Sequence, residues 1–141
     1  MNIISIIPAR LGSKGLKNKN IFPILNKPLV QWTINQAKKS KLINSIYVTT
    51  NDNAVMNIAS DNNVNIINRP EELCYDDSTS ESALIHALEI IQSKHNICPD
   101  IIVFLQATSP LRIENDIDNA IKQFIGERLD SLFSASNLKI T

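Results

Sequence analysis

The sequence opens with a nearly continuous apolar run, Asn2-Ile3-Ile4-Ser5-Ile6-Ile7-Pro8, and continues directly into Ala9-Arg10-Leu11-Gly12-Ser13-Lys14-Gly15-Leu16-Lys17-Asn18-Lys19-Asn20. A short apolar run of this kind is typical of a strand buried on both faces of a parallel sheet. The glycines and basic residues that follow predict a loop over residues 9–27. Since doubly wound sheets bind ligands beyond the carboxyl ends of their strands, this loop is the first candidate for a functional site.

Strands and helices alternate along the rest of the chain. β-branched, aromatic or apolar runs predict strands over 45–50 (SIYVTT), 64–67, 100–106 and 130–135. Helices are predicted from Pro28 to about Ser40, after an N-cap at Asp52, over residues 80–93, and around an apolar face formed by Ile117, Ala120, Ile121, Phe124 and Ile125. The first helix is expected to bury Leu29, Val30, Thr33, Ile34 and Ala37. This order predicts one α/β domain with a parallel or mostly parallel sheet and helices on both faces.

Composition excludes several classes of protein. No apolar run reaches the roughly 18–20 residues of a membrane-spanning helix, and the first residues lack a secretory signal. We therefore expect a cytoplasmic protein that does not enter a membrane. Cys74 and Cys98 form no CxxC pair, and two histidines offer no zinc-finger spacing, which predicts reduced cysteines and no metal site.

The zero net charge hides a strong asymmetry along the chain. Residues 1–51 carry eight Lys and Arg and no acid, whereas residues 52–141 carry the other six basic residues and all fourteen acids. Such a segment predicts an anionic partner, either a nucleic acid or the phosphates of a nucleotide. Residues 9–20 contain no aromatic side chain, which argues against nucleic acid because single-strand binders interleave basic and aromatic residues.

The loop after the first strand has the chemistry of a polyphosphate site. Gly12 and Gly15 allow a close backbone approach, and Arg10, Lys14 and Lys19 supply positive charge without a competing carboxylate. The loop does not match GxxxxGK[ST], and it lacks the three glycines of a GxGxxG dinucleotide fingerprint. It therefore predicts phosphate binding by a different class of loop.

Two stretches carry a resemblance to a known family. Residues 6–20, IIPARLGSKGLKNKN, resemble the signature loop of the CMP-N-acetylneuraminic acid synthetases, or acylneuraminate cytidylyltransferases, and residues 105–112, LQATSPLR, resemble their second motif. Residues 68–73 and 76–80 fall between them in the family's order, so the resemblance covers essentially the whole chain. It implies a three-layer α/β/α Rossmann-like nucleotidyltransferase fold with a mostly parallel central sheet.

The resemblance also implies a reaction and a set of site residues. The anomeric hydroxyl of a nine-carbon α-keto acid sugar, N-acetylneuraminic acid, would attack the α-phosphate of CTP and release pyrophosphate. The implied nucleotide-binding residues are Arg10, Gly12, Ser13, Lys14, Gly15, Lys19, Asn20, Arg69 and Ser80. Of these, Arg10 and Lys19 would be catalytic, steadying the pyrophosphate that leaves. The implied sugar-binding residues are Gln106, Thr108 and Ser109.

Members of this family are longer, which bears on cofactor and assembly. The resemblance implies that the aspartates binding Mg²⁺ and the segment forming a homodimer belong to a later part of the protein. Residues 1–141 are therefore expected to be the nucleotide-binding part of a cytidylyltransferase domain, truncated at its C-terminus and without metal ligands of its own. Two alternatives stay open, an inactive fragment that binds CTP and an enzyme for a related sugar. The Gly12–Gly15 loop and LQATSPLR look closer to sialic- or legionaminic-acid enzymes than to those for KDO, and pseudaminic acid is a further candidate.

Overall fold

The computed structural model describes residues 1–12, 18–75, 77–109 and 112–135. Its strands, in chain order, are β1 Ile3–Pro8, β2 Pro23–Ile24, β3 Lys27–Pro28, β4 Ser45–Thr50, β5 Asn65–Asn68 and β6 Ile101–Phe104. Four of them form a parallel sheet in the order β5-β4-β1-β6, and β2 pairs with β3 in a small antiparallel hairpin. The mostly parallel sheet expected from the sequence is confirmed.

The helices are α1 Leu29–Lys39, α2 Asn53–Asp61, α3 Ser80–His95 and α4 Asp116–Gly126. Helices α1, α2 and α4 cover one face of the sheet, and α3 covers the other. The three-layer α/β/α architecture expected from the sequence is thus confirmed in the part of the chain that is described.

Strand β1 lies at the centre of the sheet, and its side chains point alternately to two buried faces, which explains its nearly continuous apolar sequence. Ile4 and Ile6 pack under α3, whereas Ile7 packs under α1 and α2 and Ile3 under α4. All four side chains are at most 5% exposed. A central parallel strand buries both faces, so it needs apolar residues at successive positions.

Several local predictions are confirmed. The residues buried on α1 are Leu29, Val30, Thr33, Ile34 and Ala37, as predicted. Asp52 caps α2, because its Oδ1 accepts the Ala54 N–H at 2.9 Å. Helix α3 begins in the same way, with Thr79 Oγ1 accepting the Ser82 N–H at 3.0 Å.

Three predictions need correction. Residues 131–135 form no strand, and Phe133 is 85% exposed, because β-prone residues need a partner strand and none lies beside them among the described residues. On α4, Ala120 and Ile125 are exposed, because the helix packs at the margin of the sheet and only a narrow stripe is covered. The predicted loop 9–27 contains a 3₁₀ turn, Lys19–Ile21, as well as the β2–β3 hairpin.

None of the helices in the described ranges is both long and apolar enough to cross a membrane.

Candidate functional site

The strand order places a candidate site at the carboxyl edge of the sheet. The chain moves outward from β1 to β4 and β5, and then crosses through α3 to β6 on the other side of β1. The direction of winding therefore reverses beside β1, and the loops that follow the neighbouring strands β1 and β6 lie next to each other at this edge. Ligands of open α/β sheets bind in the crevice at such a point.

The first residues after β1 follow the sheet and then turn. The Ala9 N–H donates to the Thr49 carbonyl at 3.0 Å. Arg10 turns back across the edge, and its Nη1 donates to the carbonyls of Gly12 at 3.1 Å and Cys74 at 3.2 Å. Gly12 has φ +76°, a conformation that side chains with a Cβ rarely adopt. This glycine is therefore required by the backbone of the loop.

The second part of this loop brings Lys19 and Asn20 back to the same edge. Both lie in the 3₁₀ turn, Lys19 half-buried and Asn20 only 7% exposed. The Asn20 Nδ2 donates to the Arg10 carbonyl at 3.0 Å, so the two parts of the loop are joined. Ser13, Lys14 and Gly15, also expected to bind the nucleotide, lie outside the described residues.

Arg69 stands next to this loop as a buried cation. Its N–H donates to the Thr50 carbonyl at 2.9 Å, extending the β4–β5 pairing, and the residue is only 4% exposed. Its buried Nε has no hydrogen-bond partner among the described residues. Burial lowers the pKa of Arg69, the nearby Cys74 opposes this, and the positive charge of Arg10 lowers the pKa further. An anion placed here would meet two guanidinium groups.

A cavity of about 300 Å³ opens beside these cations, lined by Leu11, Gly12, Asn51, Glu71, Cys74 and Tyr75. Of these residues, only Gly12 was predicted from the sequence to belong to the site. Asn51 could have been found, because it directly follows β4, the strand next to β1. Residues 71–73 belong to a stretch that resembles the family, but no role was predicted for any side chain of the 71–75 segment, which the structure brings back to Arg10.

Cys74 lies in the wall of this cavity and is 7% exposed. Its thiol donates to the Pro70 carbonyl at 3.2 Å. Burial raises the pKa of the thiol, and the opposing charges of Arg69 and Arg10 only partly offset this. Cys74 is therefore a neutral thiol at pH 7.

The remaining predicted residues lie at two other positions of the same edge. Ser80 is exposed at the first turn of α3, next to the N-cap Thr79. Gln106, Thr108 and Ser109 follow β6 and are exposed.

Arg112 holds the loop after β6 against α1. Its Nη2 donates to the Gln106 carbonyl at 3.1 Å, and its Nη1 donates to Gln36 Oε1 at 2.7 Å. Burial lowers the pKa of Arg112, and Asp116 partly opposes this. Arg112 belongs to the LQATSPLR motif, but no role was predicted for it, and the structure shows it supporting the backbone of Gln106.

The positive charge of the first 51 residues does not form one patch. Arg10, Lys19 and Lys27 belong to the loop and hairpin that precede α1. Lys38 and Lys39 lie in the last turn of α1, at the opposite edge of the sheet. There their positive charges interact favourably with the partial negative charge of the helix C-terminus. Only part of the sequence asymmetry is therefore available to an anion at the carboxyl edge.

Within the described ranges, no three His, Cys, Asp or Glu side chains are grouped closely enough to hold a metal ion.

The chain is similar in sequence to known cytidylyltransferases. The sequence model of the family described as cytidylyltransferase matches residues 4–137. The chain is 38% identical over 122 residues to the N-acylneuraminate cytidylyltransferase of Escherichia coli O18:K1:H7 (strain RS218 / NMEC), covering 86% of this chain and 28% of that protein. It is 33% identical over 140 residues to the pseudaminic acid cytidylyltransferase of Campylobacter jejuni subsp. jejuni serotype O:23/36 (strain 81-176), covering 99% of this chain and 60% of that protein.

Solved structures share the fold. A CMP:2-keto-3-deoxy-manno-octonic acid synthetase complexed with CTP superposes with a TM-score of 0.71 at 22% identity, over 91% of this chain and 49% of that one. A cytidylyltransferase from Leptospira borgpetersenii serovar Hardjo-bovis (strain JB197) gives a TM-score of 0.69 at 24% identity, over 91% and 50%. The chain thus spans 28% to 60% of the length of these relatives. Because the family model covers nearly all of it, the chain belongs to the cytidylyltransferase family.

Proposed function

We propose that this chain binds CTP at the carboxyl edge of its sheet and belongs to an enzyme that transfers CMP to N-acetylneuraminic acid. The observation that carries the proposal is the pair of guanidinium groups at that edge. Arg69 is 4% exposed and its Nε has no partner among the described residues, while Arg10 lies close enough to lower the pKa of Arg69. A buried cation without a partner is costly, and an anionic ligand supplies the missing charge.

In the proposed reaction, the anomeric hydroxyl oxygen of the sugar forms a bond to the α-phosphorus of CTP. The bond from that phosphorus to the oxygen bridging to the β-phosphorus breaks, so pyrophosphate leaves and the hydroxyl proton passes to solvent. Arg10 and Lys19 would neutralise the charge that develops on pyrophosphate, which is the main demand of phosphoryl transfer. The other proposed nucleotide contacts are Gly12, Ser13, Lys14, Gly15, Asn20, Arg69 and Ser80.

The acceptor sugar is assigned from the relatives and from the loop after β6. Gln106, Thr108 and Ser109 are exposed there, beside the proposed nucleotide site, and would contact the sugar. The curated relatives favour N-acetylneuraminic acid, with pseudaminic acid as the second candidate because that relative matches 99% of this chain. A legionaminic acid enzyme would use the same chemistry.

Cofactor and assembly are parts of the same proposal. Mg²⁺ would accompany the CTP phosphates, which is its usual position in such sites. We also propose that the whole enzyme is cytoplasmic, forms a homodimer through a part later than residues 1–141, and binds neither nucleic acid nor membrane.

Isothermal titration of the purified chain with CTP, UTP and ATP, each with Mg²⁺, tests the nucleotide. We expect CTP to bind most tightly and Lys19→Ala to weaken CTP binding by about tenfold or more, since a charge-assisted contact to phosphate is lost. The matched control is Lys39→Ala, which removes an exposed lysine at the opposite edge and should leave binding unchanged. Equal binding of all three nucleotides, or equal effects of the two variants, would contradict the proposal.

Pyrophosphate release then tests the transfer step. The chain is supplied with CTP, Mg²⁺ and either N-acetylneuraminic or pseudaminic acid. Release that depends on the sugar identifies the acceptor and shows that this chain is active. CTP binding without release from either sugar would identify a CTP-binding fragment, which is the alternative to a complete enzyme.

A further inference from the structure

The backbone that enters the proposed phosphate loop is held by three polar side chains. The Thr50 hydroxyl donates to the Ala9 carbonyl, and the Asn20 Nδ2 donates to the Arg10 carbonyl at 3.0 Å. The Leu11 N–H donates to Asn51 Oδ1 at 2.8 Å. Three successive residues of the loop are therefore each fixed by a side chain from another part of the chain.

Two of these bonds act on one peptide group. The carbonyl of Arg10 and the N–H of Leu11 belong to the same planar unit, and Asn20 and Asn51 hold them from its two opposite sides. With both bonds made, this peptide cannot rotate about its flanking dihedral angles. The direction in which the Arg10 side chain leaves the backbone is thereby fixed.

We propose that Asn51 is a positioning residue for nucleotide binding, acting through the Arg10–Leu11 peptide. The inference rests on the proposed function, because it takes the ligand to be a nucleotide whose phosphates meet Arg10. Asn51 lines the same cavity as Leu11 and Gly12, so it acts at the entrance of the site. A backbone that is already ordered loses less conformational freedom when the ligand binds, and this strengthens binding.

A second asparagine provides a matched control. Asn44 Oδ1 accepts the Ile3 N–H at 2.7 Å, a bond of the same type between an asparagine side chain and a backbone N–H. It lies at the start of β1, at the opposite edge of the sheet from the proposed site. If Asn51 contributed only to the stability of the fold, Asn51→Ala and Asn44→Ala would have the same effect on the affinity for CTP.

The test combines thermal melts with calorimetric titration of the full chain with CTP and Mg²⁺, comparing wild type, Asn51→Ala and Asn44→Ala. We expect Asn51→Ala to weaken CTP binding by about three- to tenfold, the contribution of one neutral hydrogen bond, while Asn44→Ala binds as wild type does. Cytidine, measured by competition against CTP, should lose less than about twofold in Asn51→Ala, because it has no phosphate for Arg10 to hold.

The outcomes separate this inference from the proposed function. Wild-type protein that fails to bind CTP overturns both. Wild-type binding with equal dissociation constants for the two alanine variants, or an equal loss for CTP and cytidine, overturns only the role of Asn51. If Asn51→Ala shows no cooperative melt, Asn51→Ser replaces it, since the shorter side chain cannot reproduce the direct bond and the same comparison with Asn44→Ala applies.

Discussion

Arg69 lowers the stability of the folded protein, and we propose that it strengthens the binding of CTP. Its guanidinium is buried, burial lowers its pKa, and its Nε is without a hydrogen-bond partner in the part of the chain that the structure describes. Replacing such a group with an apolar one of similar length removes the desolvation cost. We therefore predict that Arg69→Met keeps or raises the free energy of unfolding by about 1–2 kcal/mol, yet binds CTP at least about tenfold more weakly.

Urea denaturation and titration with CTP check the two halves of this prediction separately. Arg69→Lys is the matched variant, because it keeps the charge but loses the planar set of donors. It should bind CTP more weakly than wild type and more tightly than Arg69→Met. A methionine variant that is strongly destabilised but still binds CTP normally would show that Arg69 is a structural residue.

Some of these site residues could be predicted from the sequence because their residue types and context point to phosphate binding. Others belong to the site only because of where the fold places them. Arg10 and Lys19 belong to a basic, glycine-containing loop after a strand, and that composition is visible in the chain itself. Asn51 and Cys74 have ordinary side chains in ordinary contexts. Their place in the cavity follows from the strand order and from the return of the 71–75 segment to Arg10, neither of which is encoded near them.

Helix α4 is joined to the end of α1 by one carboxylate. Asp118 is 8% exposed and accepts hydrogen bonds from the Ser40 hydroxyl and, at 2.9 Å, from the Lys41 N–H. Burial raises the pKa of Asp118, but the hydrogen bonds from Ser40, Lys41 and Leu42 and the positive charge of Lys122 together outweigh it, so the net shift is downward. The folded state thus favours the ionised form.

This shift predicts a pH-dependent contribution of Asp118 to stability. A carboxyl whose pKa is lower in the folded than in the unfolded state stabilises the fold above its unfolded pKa, about 3.9, and loses that contribution as the pH falls through the folded value. We predict that Asp118→Asn costs about 1–2 kcal/mol at pH 7, because its amide NH₂ faces a donor, and that the difference from wild type shrinks below about pH 4.

Denaturation of wild type and Asp118→Asn at several pH values between about 2 and 8, a range that spans the ordinary pKa of a carboxyl group, measures this difference in stability. Asp130→Asn, at an exposed position, serves as the control and should follow wild type throughout. A cost for Asp118→Asn that stays constant from pH 7 to pH 3 would contradict the role of the ionised carboxylate.

Among the elements, those with a periodic pattern were predictable and those that depend on pairing were not. The buried face of α1 and the bounds of β4 follow from local apolar periodicity. The β2–β3 hairpin was missed because its turn residues, Leu25 at φ 47° and Asn26 at φ 68°, lack the Asn-Gly signature of such turns. The predicted strand 130–135 was wrong because β propensity alone cannot supply a neighbouring strand.

At the scale of the whole molecule, one edge of the sheet carries the candidate binding site and the other carries contacts that stabilise the fold. The carboxyl edge carries Arg10, Arg69 and the cavity, whereas the amino edge carries the end of α1 and the link between Asp118 and Ser40. Each of these two edges carries one of the two cysteines. Cys74 lies in the wall of the cavity, and Cys98 is exposed between α3 and β6, at the other edge.

Thiol alkylation can therefore test whether a nucleotide occupies one edge only. The thiolate is the species that reacts, and burial both raises the pKa of Cys74 and limits access to it, so Cys98 should react with iodoacetamide at least about tenfold faster. Because CTP would cover the cavity, it should slow Cys74 further and leave Cys98 unchanged, while UTP should protect less. Mass spectrometry of the two cysteine peptides measures both rates in one sample, and denaturant, which exposes both thiols, should bring the rates together. Protection of both cysteines, or of neither, would mean that CTP does not bind in the cavity beside Arg10 and Arg69.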